Sequence, residues 1–327
     1  MTSIEEQIEA ALGRYRWQAP CIAEAGASGM NNTTRIVSSG EKKYVLRIYN
    51  NHGDADTVRF EHDMLKALTR EKLDFQVPEP VPNKAGDSVT MLEDGKLACV
   101  FRYIEGVRPT PENSAHVSSL GAATGKLCKV LSGVKLDRMP QYSAYYELGQ
   151  TYAAMDKPSF LGLANMSEYL REQAQQFGYL QNERETVLRA CEDVAGLPRQ
   201  WIHGDICFGN ALSTGDRIAG ILDFEFVTVD SRAMELAVLM VDLLKREIAA
   251  GSSEKLALVA DAFLSIVELT AEERKLLPTL MKLRLLDVAL HFALRFREGL
   301  DGPEVLSGIV DSSAYGCEWI AKHKPVY

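Results

Sequence analysis

Two neighbouring segments decide how this chain is interpreted: residues 201–212 read WIHGDICFGNAL, and residues 218–226 read IAGILDFEF. Asp205 and the amide Asn210 lie five residues apart in a loop-like stretch, and Asp223 ends the short apolar run that follows. Phosphoryl transfer needs a carboxylate that orients the attacking hydroxyl and accepts its proton, together with oxygen ligands for Mg²⁺. A helix cap and a strand-end turn could each explain one acid. The combination and its spacing favour phosphoryl-transfer chemistry.

These segments resemble the catalytic loop and metal-binding segment of the aminoglycoside phosphotransferase and choline kinase superfamily, which comprises small-molecule kinases with a protein-kinase-like fold. HGD at 203–205 stands where protein kinases have HRD, and LDFE at 222–225 has glutamate in place of the glycine of DFG. The resemblance implies that Asp205 is the catalytic base, that Asn210 and Asp223 are magnesium ligands, and that ATP is the phosphoryl donor.

The amino-terminal half carries a weaker match. Residues 29–37, GMNNTTRIV, resemble the family's phosphate-covering loop, with Gly29 and Asn32 three residues apart, although an ordinary hairpin turn has the same pattern. Arg47 occupies the place of the family's phosphate-gripping lysine; it keeps the positive charge, but its planar fork differs in reach from an ammonium. The resemblance implies that Glu61, in the next helical segment, is the ion-pair partner of Arg47. Outside that role Glu61 would be a solvated surface charge.

Residues 97–106, LACVFRYIEG, resemble the strand and hinge that link the two lobes in this superfamily. The resemblance implies that backbone groups here pair with the adenine edge, which would place Arg102 and Ile104 at the nucleotide. A buried strand that ends in a glycine turn is an equally good description, and the two descriptions are compatible.

The hydrophobic pattern predicts strands and one helix in the first hundred residues and mostly helices afterwards. Predicted strands lie within 22–49 and near 89–92 and 97–103, and predicted helices cover 55–68, 114–131 and 272–297. We therefore expect an α+β, bilobal, protein-kinase-like fold. Residues 1–104 would form a small β-rich nucleotide-binding lobe, and residues 105–327 a larger, mainly helical lobe with the catalytic loop and acceptor site.

Composition narrows the possible partners. The net charge of −9 and the lack of a Lys/Arg cluster disfavour binding to nucleic acid or to an anionic membrane. No stretch has the roughly 18 apolar residues of a membrane span, and the amino terminus does not resemble a signal peptide. The six cysteines form no CxxC pair, as in a protein with free thiols. We expect a cytoplasmic enzyme; the sequence does not indicate its oligomeric state.

The acceptor is less clearly indicated. Residues 224–237 are similar to the bacterial type of homoserine kinase on this fold, with Glu235 where that group commonly has aspartate, and Asp230 and Arg232 could face the acceptor. An amino-acid alcohol needs an acid for its ammonium and a cation for its carboxylate. The candidate cations are Arg232, Arg284, His291 and Arg295. For Arg284 and His291, which share one basic helix, a solvated or structural face is favoured.

Homoserine or a related amino alcohol is the first expectation, while choline, ethanolamine, methylthioribose, other sugars and aminoglycosides stay open. Four tyrosines could wall a small-molecule pocket or serve packing: Tyr142, Tyr145, Tyr146 and Tyr152.

Three other classes of protein compete with a small-molecule kinase. A catalytically silent pseudokinase would be expected to lack the base or a metal ligand. A protein kinase needs an activation segment, for which residues 226–233 leave no room. A hydrolase using His203 and Asp205 would need a nucleophile nearby. Cys207 lies two residues on, but the sequence contains no G-x-S-x-G motif or comparable cysteine context.

Overall fold

The computed structural model describes residues 3–25, 32–49, 54–248 and 251–323, and the predicted α+β, two-lobed fold is confirmed. The N-terminal lobe consists of α1 (Ile4–Leu12), β1 (Cys21–Ala25), β2 (Asn32–Ser39), β3 (Lys42–Tyr49), α2 (Ala55–Leu68), β4 (Pro80–Val81), β5 (Thr90–Met91) and β6 (Leu97–Arg102). Its strands pair antiparallel in the order β1-β2-β3-β6-β4, and β5 also pairs with β6.

Strand alternation decides which side chains of the sheet face the interlobe space. In β3, Leu46 and Ile48 are buried in a small core with α1. Arg47 lies on the opposite face, opposite Cys99 in β6, and its guanidinium lies 5.6 Å from the centroid of the Phe101 ring. Because successive side chains of a strand point to opposite faces, this register brings Arg47 to the α2 side of the sheet.

Helix α2 places a carboxylate on its buried stripe. Val58, Glu61, Leu65 and Leu68 follow one another at intervals of three or four residues, and all four are buried. That spacing puts the side chains on one face of a helix. Glu61 is 3% exposed, so it is not the solvated charge that an isolated helical glutamate would be.

The C-terminal lobe is mainly helical and holds two short strand pairs. Its elements are α3 (Ser114–Leu131), α4 (Leu148–Thr151), α5 (Lys157–Gly162), α6 (Glu168–Arg171), α7 (Ala174–Ala195), β7 (Arg199–Ile202), β8 (Ala211–Thr214), β9 (Arg217–Ile221), β10 (Thr228–Ser231), α8 (Ala233–Asp242), α9 (Ser252–Leu264), α10 (Ala271–Arg297) and α11 (Pro303–His323). β7 pairs with β10, and β8 pairs with β9, both antiparallel. The segment between α3 and α6 contains the two short helices α4 and α5.

The β8–β9 hairpin packs against the segment that connects the lobes. The Val107 N–H donates to Ser213 O over 2.9 Å, and the Ser213 N–H donates to Val107 O over 2.7 Å. Gly220 packs closely against Ile104: a Cβ added at Gly220 would lie only 2.9 Å from Ile104 Cγ2. The end of β6 and the strand leading to Asp223 are therefore held together.

No helix within the described ranges combines the length and the apolar character that crossing a membrane requires.

Candidate active site

His203 ties the catalytic loop to the strand that precedes Asp223. It is fully buried, and its Nε2 lies 3.0 Å from Leu222 O. The Asp205 N–H donates to His203 Nδ1 over 3.2 Å. Burial lowers the pKa of His203 to about 4, so the ring is neutral at physiological pH. These contacts assign the proton to Nε2, which donates to Leu222 O.

A buried acid on α8 supports the same loop from behind. Glu235 Oε1 accepts hydrogen bonds from the backbone N–H groups of His203 and Gly204. Gly204 has φ 78°, and a Cβ there would lie 3.1 Å from Phe226 O. Burial raises the pKa of Glu235 to about 8. Through its two hydrogen bonds, Glu235 fixes the backbone next to Asp205.

Glu235→Ala is expected to lower the free energy of unfolding by about 2–5 kcal/mol, because it leaves two buried N–H groups unpaired and opens a cavity. Urea unfolding of the wild type and the variant measures the difference. Glu235→Gln keeps an acceptor oxygen and should lose less than half as much. Equal losses in the two variants would show that the loop bonds contribute little.

Asp205 lies between an amide and a guanidinium. Asn210 Nδ2 donates to Asp205 Oδ2 over 2.9 Å and to Asp205 O over 3.0 Å. Arg284 Nη2, from α10, donates to Asp205 Oδ1. Burial raises the pKa of Asp205 to about 6, and the charge of Arg284 opposes that rise. From its sequence Arg284 is one of four candidate cations for the acceptor, on a helix for which a solvated or structural face is favoured. In the structure it contacts the predicted base.

Asp223 adopts a left-handed backbone conformation with φ 68° and ψ 67°, the only non-glycine residue with positive φ in the described ranges. Aspartate tolerates this conformation better than most residues, and such backbone strain clusters at functional sites. Asp223 Oδ1 lies 3.5 Å from Arg47 Nη1. Burial raises the pKa of Asp223, opposed by Arg47, yet 30% of the side chain is exposed. A ligand can therefore reach this carboxylate.

Arg47 of β3 and Glu61 of α2 face one another inside the N-terminal lobe. Arg47 Nη1 lies 3.7 Å from Glu61 Oε1, and the Tyr49 hydroxyl donates to Glu61 Oε2 over 3.4 Å. Burial raises the pKa of Glu61 to about 7, and Arg47 opposes that shift. Arg47 thus lies between Glu61 and Asp223, one carboxylate from each lobe.

A cleft of about 510 Å³ lies between the lobes and brings most of the predicted site residues together. The predicted residues that line it are Asn32, Arg47, Glu61, Arg102, Ile104, Asn210 and Asp223. Gly29 lies outside the described residues. Asn210 joins the cleft to Asp205, because its side chain lines the cavity and also donates to the Asp205 carboxylate.

At the hinge, two of the three backbone N–H groups of residues 102–104 donate hydrogen bonds within the N-terminal lobe. The Arg102 N–H donates to Glu79 O, and the Tyr103 N–H donates to Lys43 O. The Ile104 N–H donates no backbone hydrogen bond within the described part of the chain. The Arg102 side chain lies toward Glu79, with 2.9 Å between Arg102 Nε and Glu79 Oε1. Arg102 therefore reaches the cleft edge, whereas Ile104 offers a backbone donor.

The predicted metal ligands supply a carboxylate and an amide, the hard oxygen donors that Mg²⁺ prefers. Asn210 directs its NH₂ group to Asp205, so its carbonyl oxygen is the atom that can bind a cation. The described residues contain no cluster of three or more His, Cys, Asp or Glu side chains suited to a metal. Mg²⁺ usually keeps several waters and binds substrate phosphates, so two protein ligands fit a metal that arrives with a nucleotide.

Two residues considered for the acceptor are used inside the protein instead. Arg232 forms two hydrogen bonds with the fully buried Glu273, at 2.9 and 3.0 Å. Asp230 accepts from the N–H groups of Tyr145 and Ser231, both over 2.6 Å. These contacts anchor α10 and the tyrosine-containing segment, and they do not present either side chain to an acceptor beside Asp205.

Two of the relatives found among curated proteins are homoserine kinases. The chain is 27% identical over 286 residues to a homoserine kinase of Methylocella silvestris, covering 86% of this chain and 80% of that protein. It is 25% identical over 259 residues to a homoserine kinase of Methylobacillus flagellatus, covering 78% and 74%.

Solved structures share the fold. A microcompartment-associated aminopropanol kinase superposes with a TM-score of 0.75 and 20% identity, covering 98% of both chains. The amicoumacin kinase hAmiN, solved with AMP-PNP and Ca²⁺, superposes with a TM-score of 0.69 and 18% identity, covering 95% of this chain and 93% of that one.

The sequence profile described as the phosphotransferase enzyme family matches residues 23–274, most of the chain. The prediction of an enzyme that transfers a phosphoryl group to a hydroxyl of a small molecule is thereby confirmed. This chain belongs to the phosphotransferase enzyme family, and within it resembles the homoserine kinases.

Proposed function

We propose that this enzyme transfers the γ-phosphoryl group of ATP, in a Mg²⁺-dependent reaction, to the hydroxyl of an amino alcohol, with homoserine as the first candidate. One observation carries the proposal. Asn210 lines the interlobe cleft together with Arg47 and Asp223, and the same side chain is hydrogen-bonded to the carboxylate of Asp205.

The nucleotide would occupy the cleft between the lobes. A volume of about 510 Å³ lies within the range of ordinary ligand pockets. The adenine edge can accept a hydrogen bond from the Ile104 N–H, and the guanidinium of Arg47 would bind the phosphates. Asn32, also on the cleft wall, would lie on the phosphate side. We assign residues 1–104 to nucleotide binding and residues 105–327 to catalysis and acceptor binding.

Mg²⁺ would be held by Asn210 Oδ1 and a carboxylate oxygen of Asp223. When bound, such a metal neutralises charge on the phosphate oxygens and orients the terminal phosphate. The divalent metal seen with AMP-PNP in the amicoumacin kinase is Ca²⁺. For this chain, Mg²⁺ is supported by a small donor set of one carboxylate and one amide.

Asp205 would act on the acceptor hydroxyl. The hydroxyl oxygen forms a bond to the γ-phosphorus as its proton passes to the Asp205 carboxylate. The bond between the γ-phosphorus and the β,γ-bridging oxygen breaks, and ADP leaves with that electron pair. This role requires the ionised carboxylate, and Arg284 favours that form by opposing the effect of burial.

Homoserine is supported by the names of the curated relatives and by the mixed charges beside Asp205. ADP release should be measured with L-homoserine, ethanolamine, choline, methylthioribose and an aminoglycoside, each with and without Mg²⁺. We expect Mg²⁺-dependent release to be fastest with homoserine. Release that is fastest with a sugar or an aminoglycoside would overturn the amino-alcohol assignment, and no release with any acceptor would overturn the kinase itself.

We also place the enzyme in the cytoplasm. All six cysteines are free in the structure, as is usual for proteins of a reducing compartment.

Arg47→Ala is expected to raise the KM for ATP by about 10–100-fold, the value of one charge-assisted contact with a phosphate. Initial rates at varied ATP and saturating acceptor measure the change. Arg47→Lys keeps the positive charge beside Glu61 and Asp223 and should retain most of the affinity. Unchanged ATP kinetics in a folded Arg47→Ala protein would refute the phosphate-binding role.

A further inference from the structure

A group of four polar side chains lies beside Asp205 on the side of α10. We call it the α10 cluster: Arg284, Asp287, Tyr145 and Tyr152. Arg284 Nη1 donates to the Tyr145 hydroxyl over 2.8 Å and lies 3.7 Å from Asp287 Oδ2. The Tyr152 hydroxyl donates to Asp287 Oδ1 over 2.8 Å. The Tyr145 hydroxyl also donates to Gly204 O over 2.6 Å, so the cluster is joined to the catalytic loop.

The α10 cluster is not a solvated helix face. The side chains of Arg284, Asp287 and Asp205 are 20%, 21% and 18% exposed. Withdrawing charged groups from water is unfavourable, and pairing recovers that cost only in part. Such arrangements recur where a site needs charge in a defined place. Each of the three side chains nevertheless keeps about a fifth of its surface exposed.

Arg284 links this charge to the base. Its Nη2 contacts the Asp205 oxygen that is not bonded to Asn210. A guanidinium at that oxygen competes with the acceptor hydroxyl and reduces the basicity of the carboxylate. An acceptor that carries its own carboxylate would offer Arg284 an alternative partner at the moment when Asp205 has to receive a proton.

We propose that Arg284 and Asp287 form a subsite for the α-amino-acid group of the acceptor, with Arg284 binding its carboxylate and Asp287 its ammonium. The proposal rests on the proposed kinase function and specifies its substrate class. As the acceptor binds, Arg284 Nη2 leaves Asp205 Oδ1 and donates to the substrate carboxylate. The acceptor hydroxyl then occupies the position beside Asp205 Oδ1.

The spacing of the charges favours an amino acid over other acceptors. Arg284 and Asp287 lie one helical turn apart with their charged groups 3.7 Å apart, and an amino acid carries its ammonium and carboxylate on one carbon. Choline and ethanolamine have no carboxylate and would leave Arg284 on Asp205. An aminoglycoside would bring several ammonium groups toward the guanidinium, which would repel them.

The test uses three acceptors that differ by one charge each: L-homoserine, 3-aminopropan-1-ol, which lacks the carboxylate, and 4-hydroxybutanoate, which lacks the ammonium. Arg284→Gln should raise the KM for homoserine and 4-hydroxybutanoate by about 10–100-fold and change that for 3-aminopropan-1-ol by less than about threefold. Where a compound is not phosphorylated, its inhibition constant against homoserine replaces KM.

Asp287→Asn should show the opposite selectivity. The KM or inhibition constant should rise by about 10–100-fold for homoserine and for 3-aminopropan-1-ol. For 4-hydroxybutanoate it should stay within about threefold of the wild-type value. Arg284→Lys keeps the charge and loses the planar fork, so homoserine should bind it better than Arg284→Gln. The control is Arg297→Gln, which removes an exposed arginine from the same helix and should leave all three constants unchanged.

If Arg284→Gln raised KM equally for the three acceptors, or lowered kcat alone by the same factor for all three, Arg284 would only position Asp205. That result would overturn the subsite. If Arg284→Gln does not fold, the Asp287→Asn and Arg284→Lys arms decide the matter. A wild-type enzyme that phosphorylates choline or a sugar and none of the three compounds would also overturn the subsite but leave the kinase in place. An enzyme that phosphorylates nothing would overturn both.

Discussion

Asp205→Asn is expected to lower kcat by about 10²–10⁴-fold and to change the KM for ATP by no more than a few fold. Asparagine keeps the shape of the side chain and an oxygen acceptor for Arg284, but it cannot accept the proton of the attacking hydroxyl. Steady-state rates with the best acceptor of the panel measure the loss.

The control is Asp193→Asn, which makes the same chemical change at an exposed position of α7 and should leave kcat unchanged. Thermal unfolding confirms that both variants are folded. A folded Asp205→Asn enzyme with a kcat within threefold of the wild type would exclude Asp205 as the base.

Asp223→Asn is expected to lower kcat/KM by about 100-fold or more, since a metal at the phosphates contributes several kcal/mol of transition-state stabilisation. Asparagine tolerates the left-handed backbone of this position, so the change removes charge without adding backbone strain. Rates at varied Mg²⁺ should also show a higher half-saturating metal concentration.

A folded Asp223→Asn enzyme whose Mg²⁺ dependence matched that of the wild type would contradict the ligand role. Partial recovery of activity at high Mg²⁺ would support it, because added metal compensates for a weakened site. Asp216→Asn is a suitable control. Asp216 lies on the exposed turn of the hairpin that leads to Asp223, and its carboxylate accepts a hydrogen bond from Asn113 Nδ2 over 3.0 Å.

Local spacing explains why most of the candidate site could be predicted. Asn210 follows Asp205 by five residues, and a single 3-10 turn over Phe208–Asn210 brings the amide back to the carboxylate. Asp223 comes next to them because the β8–β9 hairpin returns the chain, with the Leu222 N–H donating to Asn210 O over 2.8 Å. Short-range geometry of this kind can be inferred from sequence; the roles of these residues stay predictions.

Periodicity explains the N-terminal part of the site. Alternation along β3 sends Arg47 to the face opposite Leu46 and Ile48, and the helical interval from Val58 puts Glu61 on a buried stripe. Neither pattern fixes the 3.7 Å approach of the two charges, which depends on how α2 packs on the sheet. For Glu61, the pattern predicts the face of the helix but not the contact.

Arg284 shows what the sequence could not provide. It lies 79 residues beyond Asp205, and no local rule joins the two positions. Its contact depends on the packing of α10 against the catalytic loop through Tyr145, one of the four tyrosines for which the sequence left a pocket wall and packing open. In the same helix Arg295 pairs with Asp301 and serves structure. Sequence reasoning could not distinguish these two arginines.

The central claim is that one cleft holds a metal–nucleotide and directs its terminal phosphate to a hydroxyl beside Asp205. The most direct test is ³¹P NMR of a reaction containing wild-type enzyme, ATP, Mg²⁺ and L-homoserine. We predict one new phosphomonoester, formed in an amount equal to the ADP, with little inorganic phosphate. When Asp205→Asn replaces the wild type, we predict no phosphomonoester signal and no ADP signal over the same time. ADP that accumulates with inorganic phosphate and no phosphomonoester would contradict the claim.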